Sequence, residues 1–198
     1  MKKKNKGFTL VELIIVIAIM IVLVAVLAPV FTPYVEKSRR AADVQTAKSI
    51  ESALMAAATD GSIQVPKTNN NQPRGAWVLI CRDKDSLPTD YSQSQFKNGT
   101  FFCGVDPKVS VNGVTSNGPW NRYNDPLAKV LAEVGITPES ATLRCKKADA
   151  NEGWDWIVVE VGYANGKYST RMYSGLKGQS SENVKVANSN LEKTIEKQ

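Results

Sequence analysis

Residues 3–30 read KKNKGFTLVELIIVIAIMIVLVAVLAPV, and the fold of the whole chain turns on this stretch. From Leu13 to Val30 no side chain carries a charge or a hydrogen-bonding group, and Phe8, Leu10 and Val11 extend the apolar character backwards. The run is long enough to cross a bilayer as a helix. It is also longer than the apolar core of a secretory signal. Where a small-residue cleavage site should follow, the sequence is Val26-Leu27-Ala28-Pro29, with proline directly after the one plausible cut, so conventional signal removal is not expected. Lys2, Lys3, Lys4 and Lys6 mark the preceding tip as the cytoplasmic flank, which places the remainder outside. Glu12 breaks the pattern, because it sits one residue before the long run. Acids at such positions usually have a partner; the plainer alternative is a helix-end glutamate reaching back to water.

Working outward, 198 residues provide for one soluble domain besides the membrane segment. Beyond Pro29, Val44, Ala47, Ile50, Leu54 and Ala57 or Ala58 recur at three- and four-residue steps, which predicts a helix with one packing face. Glu36 with Arg40 and Arg39 with Asp43 stand four apart and support it. A single helix from Phe8 to Thr59 would be about 78 Å long, more than twice a bilayer core. Pro29 and Pro33 each remove a backbone donor, which predicts a kink or a short melted stretch between Ala28 and Tyr34, either as a flexible segment or as a membrane-exit break. Asp60-Gly61 ends the helix, and residues 65–75 read as an exposed loop.

The head, residues 60–176, is then strand-rich. Ala76–Cys81 and Thr100–Val105 read as buried strands, Lys108–Val114 as a short alternating segment, and Asp125 to Gly135 as a short amphipathic helix that packs. Trp154–Ala164 and Lys167–Tyr173 flank Asn165-Gly166, the signature of a type I′ hairpin. The fold class is therefore α+β, an antiparallel sheet laid on the outer half of a long helix. Residues 177–198 are polar apart from isolated apolar positions and read as a mobile tail or a weak terminal helix.

Composition removes several functions. The net charge is +6, but the four leading lysines account for most of it and leave 21 basic against 19 acidic residues, so no nucleic-acid-binding face is indicated. The chain has no histidine, which excludes Ser-His-Asp and Cys-His catalysis and the usual zinc sets. No enzyme activity and no cofactor are expected. Cys81, Cys103 and Cys145 lie far apart without CxxC spacing, and an exported head would pair two and leave one. Cys81 with Cys103 would bridge two candidate neighbouring strands and add about 3 kcal/mol; Cys103 with Cys145 is the alternative, and a reduced head would keep all three as small core residues. Asp149, Asn151, Glu152 and Asp155 lack the EF-hand glycine and final glutamate, so they read as a solvated turn and no metal site is assigned.

The run from Lys3 to Glu12 resembles the cleavage site of type IV prepilins and the related pseudopilins. The resemblance covers roughly the first 35 residues. It implies a leader, residues 1–7, cut after Gly7 by a membrane peptidase that also N-methylates Phe8, with Glu12 at the fifth position of the mature chain and Pro29 at the position of a helix-bending proline. It further implies a membrane and assembly helix over 8–30, a continuation over 31–59, and a pilin-like head. The expected function is that of a structural subunit of a type IV pilus, held as a membrane pool and drawn into a helical filament of identical or related subunits by a platform and an ATPase, and serving adhesion or motility. A secretion pseudopilin, a minor pilin and a non-polymerising anchored binding domain are the alternatives. Related major pseudopilins often carry calcium near the chain end, the one context in which the acidic cluster would matter. Glycine suits the cut because it lets extended backbone enter a protease without a side chain in the way. The amine created on Phe8 would be neutralised by a neighbour's Glu12, fixing one helix against the next.

Overall fold

The computed structural model describes residues 7–66, 75–92, 96, 100–117, 123–146, 148–149, 151–184 and 189–195. The lysine-rich tip, the loop over 67–74 and parts of the stretch between Cys81 and Thr100 and of the tail lie outside the described residues. The chain divides into two compact units, 1–38 and 39–198. One helix, α1 (Leu10–Thr59), contributes to both.

In the first unit every described side chain from Gly7 to Val35 is exposed, with Phe8 at 85% and Ile21 at 67%. By length and composition α1 is able to cross a membrane. The predicted melted stretch between Ala28 and Tyr34 does not form, since α1 continues through Pro29 and Pro33. The prolines cost the carbonyls of Ala25 and Pro29 their usual donors, but those two losses lie one turn apart and leave the intervening bonds intact. Thr32 Oγ1 donates to the Ala28 carbonyl at 2.9 Å, adding a partner within this weakened turn.

The second unit is built on the remainder of α1. Val44, Ala47, Ile50, Leu54, Ala57 and Ala58 are buried along one stripe, the face that the periodicity predicted. They pack on a four-stranded antiparallel sheet in the order β3-β2-β6-β7, formed by β2 (Gly75–Cys81), β3 (Phe101–Val105), β6 (Trp156–Ala164) and β7 (Lys167–Gly175). Strand alternation divides the side chains between two layers. Ala76, Val78, Ile80, Cys103, Ile157 and Val159 join the helix in the main core, while Trp77, Leu79, Cys81, Phe102, Trp156 and Tyr173 form a second layer. Burial on both faces explains why β2 reads as an unbroken apolar run, a pattern ordinarily associated with covered sheets.

The β6–β7 hairpin turns at Asn165 and Gly166 with φ of 52° and 81°, as the Asn-Gly pair predicted. Asn112 and Gly113, at 47° and 78°, make a second such turn between β4 (Ser110–Val111) and β5 (Val114–Thr115). Just before the predicted loop, Ile63–Gln64 forms strand β1, paired with β4, with Ile63 fully buried. The short helix α2 (Asp125–Glu133) is capped one residue earlier than its acidic start suggested, with Asn124 Oδ1 accepting from Leu127 N at 2.8 Å.

Of the two forms expected of the tail, its described residues take the helical one. Helix α3 (Ser181–Val184) and helix α4 (Asn190–Ile195) pack beside β7, and Leu191 enters the main core fully buried. Asn190 Nδ2 donates to the carbonyls of Asp149 and Gly153, both at 3.1 Å. One apolar side chain and one amide therefore dock a segment whose composition reads as solvated.

Gly175 closes β7 beneath the Trp156 indole, where an added Cβ would lie 2.0 Å from Cζ2. We expect Gly175→Ala to destabilise the fold by about 1–3 kcal/mol, since a buried ring cannot yield that distance without repacking. Urea unfolding would show it as a lowered midpoint, and an unchanged midpoint would mean that the ring moves freely.

Candidate functional site

The one polar cluster in the exposed apolar half of α1 lies at its first turn. Thr9 is the N-cap. Its Oγ1 accepts from Glu12 N at 3.2 Å, and Glu12 Oε2 accepts from Thr9 N and Thr9 Oγ1, both at 2.8 Å. This is a capping box, in which the cap residue and the third helical residue satisfy each other's free amide. The Thr-x-x-Glu spacing is legible in the sequence, but neither reading of Glu12, as a charge with an external partner or as a helix-end acid reaching back to water, contains this cap. The box also shifts the helix start from Phe8 to Leu10. The Gly7–Phe8 peptide bond is thus left outside the helix, and among the described residues nothing beyond the chain neighbours lies within 4 Å of where a Gly7 Cβ would stand.

The carboxylate expected to pair with Arg39 on the helix surface is instead buried. Asp43 has no exposed surface, and its Oδ1 accepts from Arg144 N at 2.6 Å while its Oδ2 accepts from Cys145 N at 2.9 Å and Trp154 Nε1 at 3.0 Å. Loss of solvent pushes its pKa above the ordinary aspartate value; the three donors pull it partly back. Asp43 therefore anchors α1 to residues 144–145 and to the approach to β6. The sequence hid it because an acid at helical spacing from an arginine looks like a solvated pair.

The acidic turn disperses its oxygens. Asp149 Oδ1 accepts from Asn151 N at 2.9 Å and Glu152 N at 3.0 Å. Glu152 pairs with Arg40. Asp155 meets Arg82 Nη2 at 2.6 Å and accepts from Lys177 N at 2.7 Å. Among the described residues no three His, Cys, Asp or Glu side chains gather as metal ligands.

Cys81, Cys103 and Cys145 are all buried, and none of the three is joined in a disulfide. Cys103 lies opposite Val78 across the β2–β3 ladder, three positions from Cys81, so the two thiols point to opposite faces of the sheet and the Cys81–Cys103 bridge is excluded by register. Cys103 and Cys145 share the main core but are not bridged. Burial raises the Cys81 thiol far above its usual pKa, leaving it inert.

A family model described as the prokaryotic N-terminal methylation motif matches residues 2–28. Fimbrial proteins of Dichelobacter nodosus are similar to the chain. A fimbrial protein is 34% identical over 98 residues, covering 46% of this chain and 61% of its own length. One type IV major fimbrial protein FimA is 36% identical over 85 residues, 40% of this chain and 53% of its own. Another is 30% identical over 105 residues, 50% and 62%. The chain thus spans between about half and three fifths of the length of these curated relatives. No solved structure matches it. With a long N-terminal helix laid on an antiparallel sheet, the fold is the pilin-like α+β arrangement expected, and the motif over residues 2–28 is that of type IV prepilins.

Proposed function

We propose that the chain is a structural subunit of a type IV pilus, cut after Gly7, N-methylated at Phe8 and polymerised through the N-terminal half of α1. The observation that carries the reading is an apolar helical surface left uncovered by its own chain, with the Thr9–Glu12 pair beside a peptide bond that stands outside the helix. Such a surface needs lipid before assembly and neighbouring subunits after it.

Before assembly the lysine tip lies in the cytoplasm and the head outside. A prepilin peptidase and methyltransferase acts at Gly7–Phe8, and an assembly platform with its ATPase extracts the subunit. In the filament, the Phe8 amine of one copy meets Glu12 of the next. Pro29 and Pro33 are the points at which α1 bends as it passes from lipid to protein surroundings, because two of its carbonyls already lack donors. The role is mechanical, so no catalytic set is assigned.

Intact mass and N-terminal sequencing of protein taken from cells test the reading. The expected chain begins at N-methylated Phe8. A chain beginning at Met1, or beyond Ala28, would reject it.

A further inference from the structure

The second aromatic layer of the sheet, on the face turned away from α1, is covered by Phe96, by Tyr123 and by two further segments distant in sequence. Leu87 and Tyr91 come from the segment after β2, and Val184 from α3. Tyr91 stands edge-on to Trp77 at 5.5 Å, and Trp77 stacks on Phe102 at 4.8 Å. The two covering segments are tied to each other at residues 89–90 and 179–181. Thr89 N donates to the Gln179 carbonyl at 3.1 Å. The Asp90 carboxylate accepts from Ser181 N at 2.8 Å on one oxygen and from Ser181 Oγ at 2.5 Å on the other. Asp90 thereby caps α3 from a different part of the chain.

Within the second segment, Leu176 N donates to Gln179 Oε1 at 2.7 Å, and Trp156 Nε1 holds the Leu176 carbonyl at 3.0 Å. None of the three cysteines lies in either segment, so no disulfide within the chain can fasten them together.

We propose that residues 86–91 and 176–184 form a clasp that opens and closes as one unit while the four-stranded sheet stays formed, with Asp90 as its latch. Among the described residues, the backbone of Thr89 and the carboxylate of Asp90 tie the segments to each other, with both oxygens of that carboxylate engaged by Ser181, whereas β2 is held by ladders on both sides. Segments with few cross-ties open at lower free energy than central strands. Opening takes Tyr91 away from Trp77 and Phe102 and frees the Trp156 indole from Leu176. This inference does not depend on filament assembly.

Hydrogen exchange with mass-spectrometric readout, on the full chain in detergent, tests it. In wild type the amides of 86–91 and 176–184 should exchange at a common rate, faster than those of β2 and β6. Asp90→Ala should accelerate both segments together by about tenfold or more, as expected for losing two bonds to a charged acceptor, and leave β2 and β6 unchanged. Ser181→Ala, which keeps the bond from its amide, should produce a smaller change confined to the same residues, and it carries the test should Asp90→Ala fold poorly. An increase spread evenly over the sheet, an increase in one segment alone, or no change would overturn the proposal.

Discussion

Glu12→Gln is expected to leave cleavage after Gly7 intact and to lower the yield of surface filaments more than about tenfold, because it removes a charge without removing a hydrogen-bond acceptor. Two roles converge on Glu12. Within its own chain it completes the capping box with Thr9, at 2.8 Å from both the amide and the hydroxyl. In the proposed filament it neutralises the amine of an adjacent subunit. Glutamine serves a capping box nearly as well as glutamate, so the helix start at Leu10 should survive the substitution. What glutamine cannot supply is the negative charge. An amine removed from water without its counter-ion is strongly unfavourable, and every subunit added to a filament would incur the same penalty. Glu12→Leu should fail at least as badly, because it loses both roles. Thr9→Val, which deletes only the hydroxyl of the cap, should assemble far better than either. The measurement is sheared filament yield normalised to the processed subunit in the membrane. Wild-type yield from Glu12→Gln would show that capping is the whole role of this residue, and loss from Thr9→Val as deep as that from Glu12→Leu would point the same way.

That two-part role also marks where sequence reading reached its limit. Periodicity is a property of the chain, so the buried stripe from Val44 to Ala58, the Asn165-Gly166 hairpin and the apolar strands Gly75–Cys81 and Phe101–Val105 were all legible. The resemblance at Gly7, Phe8 and Glu12 was legible for a related reason: local spacing carries it. Contacts set by three-dimensional neighbours were not. Asp43 looked like half of a surface pair because the donors of Arg144, Cys145 and Trp154 are about a hundred residues away. Cys81 and Cys103 looked bridgeable because only strand register reveals that they face opposite ways. Leu191 looked solvated because a single apolar residue among polar ones has no periodicity to betray it, yet it fills the main core. Ile63 escaped in the same way, as one buried side chain between the helix end at Asp60-Gly61 and the segment read as loop.

Asp43→Ala is expected to destabilise the head by about 3 kcal/mol, since two buried donors and one half-buried donor would each lose a partner worth about 1 kcal/mol or more. The donors cannot readily turn elsewhere: two are backbone amides at Arg144 and Cys145, and the third is an indole fixed in the core. Asp43→Asn should cost less, because its amide oxygen can still accept while its NH2 group faces a donor. Urea unfolding of the detergent-solubilised chain, followed by tryptophan fluorescence, gives both values. pH supplies an independent check. Burial holds the folded pKa of Asp43 above its unfolded value, so within that interval the native state binds more protons than the unfolded state. The stability contributed by this group is therefore fully present below the unfolded pKa and is lost as pH rises through the folded one. As pH is lowered from about 7 towards 4, the advantage of wild type over Asp43→Asn should widen, while the other carboxylates, common to both proteins, cancel in the difference. A constant or shrinking advantage would mean that the three donors hold Asp43 ionised more strongly than burial opposes it.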